Sequence, residues 1–134
     1  MSSLRPWWRR WFGTRSERAA ARFLRRKGCR VLARNFTCSL GELDLVVLDA
    51  DMIVFVEVRS TAGDDAERPA ASVDEIKQRR LTDLALYFLR QHRLLGRPAR
   101  FDVVTLIWPE GERRPTITHY RAAFEAVGRF QMFS

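Results

Sequence analysis

Two short runs, 41–48 and 52–59, constrain this chain more than any other feature. Both are rich in Val, Leu, Ile and Phe, and both carry apolar residues at alternate positions of either parity. Leu43, Leu45 and Val47 oppose Val46 and Leu48 in the first run; Ile53 and Phe55 oppose Val54, Val56 and Val58 in the second. A strand with one wet face alternates apolar and polar residues, so strands of this kind need cover on both sides. Asp49-Ala50-Asp51 between the runs reads as a hairpin turn. The expected fold class is α/β: one three-layer α/β/α domain around a central mixed β-sheet.

The rest of the chain supplies the layers. Residues 14–27 have helical spacing, with Ala20, Ala21, Phe23 and Leu24 on one side and Gly28 as the stop. Glu17 lies three and four residues before Ala20 and Ala21, which puts an acid on or beside that apolar stripe. Residues 30–35 read as a short strand and 60–71 as a polar loop. Ser72 with Glu75 forms a capping-box pattern opening a long helix that runs to about His92. Its expected buried stripe is Val73, Ile76, Leu81, Leu84, Ala85, Phe88 and Leu89. A strand over 100–108, a short strand over 117–120 and a helical turn over 122–127 complete the expectation. At 134 residues the chain has room for one domain. We divide it into a basic Trp/Arg-rich extension, 1–12, and an α/β domain, 13–134.

Charge is segregated along the chain. Residues 1–36 hold eleven Lys/Arg and one acid, residues 37–75 two and ten, and residues 76–134 eleven and five. Basic flanks around an acidic centre suit a phosphate-rich partner, because Lys and Arg on phosphates release counterions without any sequence readout. Trp7, Trp8 and Trp11 interleave with Arg9 and Arg10, a mixture suited to stacking on bases, to a membrane interface or to docking on the chain's own domain. No apolar run approaches the length of a membrane span, and no apolar signal-peptide core stands near the start. Cys29 and Cys38, with no CxxC pair and only two histidines, are too few for a zinc finger or a disulfide framework. Reduced thiols in a cytoplasmic protein are expected.

The chemistry concentrates in the acidic centre. A hairpin turning on Ala50-Asp51 sets Asp44 opposite Glu57 and Glu42 opposite Arg59, all on one face. Two opposed carboxylates in a sheet centre repel unless compensated. A hard divalent cation, Mg²⁺ or Mn²⁺, is the natural compensation for oxygen ligands. Glu42 with Arg59 also reads as a plain cross-strand ion pair. Lys77, four residues from both Val73 and Leu81, borders the sheet-facing side of its helix. It either reaches a phosphate or snorkels past the core. No GxGxxG or GxxxxGK[ST] pattern and no nucleophile-elbow serine or cysteine is present. His92 and His119 read as structural or solvated.

The pattern Gly13-x3-Glu17, Gly41-Glu42-x-Asp44, Phe55-Val56-Glu57-Val58-Arg59, Lys77, Phe101-Asp102-Val103-Val104 and His119-x4-Phe124 resembles the YraN-like proteins (uncharacterised protein family 0102). The resemblance spans about Gly13 to Phe124. It implies a restriction-endonuclease-like fold, within a superfamily that also includes Holliday-junction resolvases. Asp44, Glu57 and Arg59 are similar to the Asp…Glu-x-Lys signature of those nucleases, with Arg where Lys is usual. Glu17 resembles the acid that many members carry on the first helix.

The resulting expectation is a metal-dependent nuclease acting on DNA, with branched or recombination intermediates among its substrates. Asp44, Glu57, Arg59 and Glu42 would form the catalytic set, and Asp44, Glu57 and Glu17 the metal ligands. The Val58 carbonyl stands as a further ligand, and Arg9, Arg10, Arg15, Arg22 and Lys77 as nucleic-acid contacts. The alternative is a non-catalytic nucleic-acid-binding or recombination-accessory protein on the same fold. Whether the chain forms a homodimer is left open.

Overall fold

The computed structural model describes residues 7–62, 73–111 and 114–127, with the side chains of 7–14 and 62 outside that description. Helix α1 (Trp7–Arg26) leads into strands β1 (Arg30–Cys38), β2 (Gly41–Asp49) and β3 (Met52–Ala62). Helix α2 (Glu75–Gln91) then precedes β4 (Ala99–Trp108) and β5 (Thr116–Phe124). The five strands lie in sequence order in one sheet, antiparallel except for the parallel pair β3–β4. The α2 segment makes the crossover that a parallel pair requires.

Strand β3 shows why both faces of its run are apolar. Ile53 and Phe55 pack with Val46, Phe101, Leu84, Phe88 and Leu89 on the α2 side. Val54 and Val56 pack with Leu45, Val47, Val104, Ala20, Ala21 and Leu24 on the α1 side. The small Ala20 and Ala21, both 0% exposed, let α1 lie close against the sheet. The expected three layers are therefore present.

The hairpin register agrees with the sequence reading where the strands pair. Leu45 faces Val56 and Asp49 faces Met52, with Ala50 and Asp51 forming the turn. Ala50 sits at φ 54°, a conformation that strains any residue with a Cβ. Ala50→Gly is accordingly expected to stabilise the protein by about 0.5–1 kcal/mol, read as a raised midpoint in urea unfolding at unchanged slope.

Several expected boundaries move. Helix α1 begins at Trp7 instead of Thr14, so the helix runs into the segment read as an extension. Strand β1 continues to Cys38, three residues beyond Asn35. The N-cap of α2 is Asp74, whose Oδ1 accepts the Lys77 N–H at 2.8 Å, while Ser72 lies outside the described residues. Ile76 is 73% exposed, contrary to its place in the expected stripe. It aligns with Arg79 and Asp83, three and seven residues on, on the side away from Leu81. The expected closing helical turn is instead the end of β5. There the pairing jumps from Val103–Tyr120 to Phe101–Phe124, and the intervening Ala122 takes φ 50°. Asp102 fills the gap, its Oδ1 accepting the Ala122 N–H at 2.9 Å.

Candidate active site

Strands β2 and β3 pair from Asp49–Met52 as far as Leu45–Val56. Beyond that point the Asp44 carboxylate replaces the ladder: its Oδ2 accepts the Val58 N–H at 2.9 Å. Leu43 joins the α2-side cluster and Leu45 the α1-side cluster, although residues two apart share a face in a regular strand. The alternation therefore breaks at Asp44. Continuing the register would set Asp44 opposite Glu57 and Glu42 opposite Arg59. Neither pair forms in the β2–β3 ladder, which ends at Leu45–Val56; on their other sides Glu42 neighbours Thr37 of β1 and Arg59 neighbours Thr105 of β4.

Where the two strands stop pairing, a cavity of about 400 Å³ opens between the helices. Glu42, Asp44 and Glu57 line it from the sheet, Ser16 and Glu17 from α1, and Lys77 and Arg80 from α2. Four of the expected acids thus line one cavity, three from the sheet and one from α1. Glu17, Asp44 and Glu57 are each less than a tenth exposed. Gly41 completes the lining at φ 140°, and a Cβ there would stand 3.4 Å from the Leu84 side chain. Any other residue would be strained at that φ, although its Cβ would make only ordinary contact with α2.

Lys77 decides the electrostatics of the inner wall. Its Nζ lies 2.6 Å from Glu57 Oε2, a pair reaching from the first turn of α2 to the centre of β3. Lys77 precedes Leu81 and Leu84 by four and seven residues, so it heads the buried stripe of α2. The expected cation, Arg59, is half-buried on β3 and is not among the residues lining the cavity. Lysine has taken the inner position from another element.

The donor set fits a hard cation. Carboxylate oxygens, with the Val58 backbone beside them, suit Mg²⁺ or Mn²⁺. Among the described residues no three of His, Cys, Asp and Glu are grouped to hold a metal ion. Mg²⁺ commonly needs only one or two carboxylates plus water and substrate phosphate. Asp44 and Glu57 are the pair that would hold it.

Arg15, Arg18, Arg22, Arg25 and Arg26 are all exposed on α1, opposite its Ala20/Ala21/Leu24 face. This basic stripe begins beside Ser16 at the cavity and includes the expected contacts Arg15 and Arg22. Arg9 and Arg10 fall within α1, but their side chains lie outside the described part.

Residues 16–106 match the model of Uncharacterised protein family UPF0102. This chain belongs to that family. It is 48% identical over 119 residues to a UPF0102 protein of Rhodopirellula baltica, covering 87% of this chain and 71% of the relative. A UPF0102 protein of Pelotomaculum thermopropionicum is 42% identical over 116 residues, covering 87% and 97%. One of Myxococcus xanthus is 45% identical over 118 residues, covering 88% and 92%. The UPF0102 match takes in Glu17, Glu42, Asp44, Glu57, Arg59, Lys77 and Arg80. The mixed sheet with a helix on each face is consistent with the restriction-endonuclease-like fold. Among the described residues no helix is long and apolar enough to cross a membrane.

The sequence reading missed Arg80, Ser16 and Ser60 as cavity residues. Arg80 carried a usable signal, since it stands three residues after Lys77 on the same helix. The two serines carried none. It also left Asp102 and His119 without a shared role. His119 Nε2 lies 2.7 Å from Asp102 Oδ2, and Lys27 Nζ lies 2.9 Å from His119 Nδ1. The lysine ammonium can only donate, so Nδ1 is its acceptor and Nε2–H faces the carboxylate as donor. Arg100 donates to both Asp102 oxygens and to Asp49. Hydrogen bonds from His119 and Arg100 hold the Asp102 carboxyl below the usual range against the opposing effect of burial. This network lies against the first residues of β4 and the last of β2, whereas the cavity takes the first residues of β2. It locks β5 to α1. Cys29 and Cys38 are free thiols, and burial pushes the Cys29 thiol up.

Proposed function

We propose that the protein is a metal-dependent phosphodiesterase acting on DNA. The observation that carries this reading is the convergence of Glu17, Glu42, Asp44 and Glu57 with Lys77 and Arg80 around one cavity. Asp44 and Glu57 would hold Mg²⁺ or Mn²⁺, which when bound lowers the pKa of a coordinated water and offsets charge on the phosphate. Asp44 is already oriented by the Val58 N–H, which fixes the plane of its carboxylate. Lys77 supplies a cation at Nζ to steady a phosphate oxygen, and unlike arginine it can transfer a proton. Arg80, at the cavity wall, and the α1 stripe neutralise neighbouring phosphates. Cytoplasmic action on branched DNA belongs to the same proposal.

The Lys77–Glu57 pair also favours a second reading. A carboxylate already neutralised by lysine suits a non-catalytic nucleic-acid-binding protein on this fold. A cleavage screen over linear, flapped and four-way-junction DNA separates the two. The enzymatic reading expects cleavage with Mn²⁺ or Mg²⁺, none in EDTA, and a loss of about 10²-fold or more in Asp44→Asn. Salt-sensitive binding with no metal-dependent cleavage of any substrate would establish the second.

A further inference from the structure

The rim of the cavity carries an indole ring anchored at one end and covered by a guanidinium. Trp108, the last residue of β4, donates its indole Nε1–H to Ser16 Oγ at 3.1 Å. Ser16 is itself 5% exposed and lines the cavity. This bond anchors one end of the indole ring. The Arg15 guanidinium carbon then lies 3.7 Å from the centroid of that ring. Arg15 is exposed.

A guanidinium stacked on an aromatic face directs its N–H groups outward in its own plane. It presents a rigid fork suited to two phosphate oxygens. The stack also removes the rotamer freedom that a surface arginine ordinarily loses on binding. Arg15 adjoins Ser16, so the fork stands one residue from the cavity that holds Asp44 and Glu57. Arg18, Arg22 and Arg25 continue outward from it along the same helix.

We infer that Arg15 is a pre-oriented clamp for a backbone phosphate next to the one in the cavity, with Trp108 as its positioning residue. This rests on nucleic acid as the partner and names the subsite that fixes the strand. The pairing is non-local: Trp108 lies ninety-two residues from the Ser16 it anchors to. It therefore ties the first helix to the end of the fourth strand at the point where a strand would enter.

The test is binding of fluorescent single-stranded and duplex oligonucleotides in EDTA at several salt concentrations, using the full chain. Arg15→Gln is expected to weaken binding about tenfold at low salt and to lower the salt slope by about one. Arg15→Lys should recover the slope but only part of the affinity, because the fork is lost. Trp108→Leu should weaken binding nearly as much as Arg15→Gln, and Trp108→Phe by less than twofold. The Arg15→Gln/Trp108→Leu double variant should bind no more weakly than Arg15→Gln alone. Arg18→Gln combined with Trp108→Leu should instead be additive. Unchanged affinity in Arg15→Gln, or additivity of Arg15→Gln with Trp108→Leu, would overturn the clamp while leaving nucleic-acid binding intact. A wild-type protein that binds neither oligonucleotide would overturn the nucleic-acid reading itself.

Discussion

Asp102→Asn is expected to cost about 3–5 kcal/mol of stability, the range for breaking one side of a buried charge network. Asp102 is 1% exposed and receives His119 Nε2–H, two Arg100 donors and the Ala122 N–H. Asparagine keeps one acceptor but turns an amide donor toward groups that are themselves donors, and it leaves Arg100 short of a counter-charge. The irregular end of β5 also loses its support, since Asp102 fills the break in the β4–β5 ladder. The same group predicts the acid limb of the stability curve. Its carboxyl is held below the usual value in the folded state. Its contribution is thus fully present above the unfolded carboxylate pKa and is lost as pH falls through the lower folded value. Urea unfolding from pH 7 down to pH 3 should show wild type losing stability steeply below about pH 5. Asp102→Asn should start lower and fall less.

The second large effect concerns the cation of the site. Lys77→Gln is expected to reduce cleavage by about 10²–10³-fold, the usual consequence of removing one pre-oriented donor from a charge-stabilising site. Arg59→Gln should reduce it much less, because Arg59 is not among the residues lining the cavity. The order of the two effects is opposite to the one that the Asp…Glu-x-Lys spacing alone suggests. Single-turnover cleavage of the best substrate from the screen measures both. Unchanged melting temperatures would show that neither loss comes from unfolding.

Much of this was legible in the residues. The two-faced apolar runs demanded a covered sheet, and Val54 and Phe55 do pack against opposite helices. The Asp49–Met52 register followed from a two-residue turn. Lys77 was placed at the edge of the α2 stripe by its spacing from Leu81. The end of the β2–β3 ladder at Leu45 was not legible. It depends on a side-chain-to-backbone bond, Asp44 to Val58, that periodicity cannot register. Continuing the register put Glu42 and Arg59 opposite one another, whereas the open fork is what makes the cavity. Asp74 rather than Ser72 caps α2 because both residue types accept N–H groups and spacing alone does not choose between them. The tail of β5 read as helical because Ala122 and Ala123 favour helix, while the Asp102 contact that holds Ala122 comes from twenty residues away.

The central claim is that Asp44 and Glu57 hold a divalent cation, and thermal melts of wild type and Glu57→Gln, each with EDTA and with Mn²⁺, test it most directly. In EDTA the variant loses the contact with Lys77, which is 41% exposed, so the expected cost is no more than about 1 kcal/mol. Mn²⁺ at about a hundredfold over its dissociation constant should stabilise the wild type by about 2.7 kcal/mol, a rise of several degrees. The variant should show almost none of that rise. A Glu57→Gln protein that is less stable in EDTA yet keeps the full Mn²⁺ shift would contradict the account, leaving Glu57 as a structural partner of Lys77.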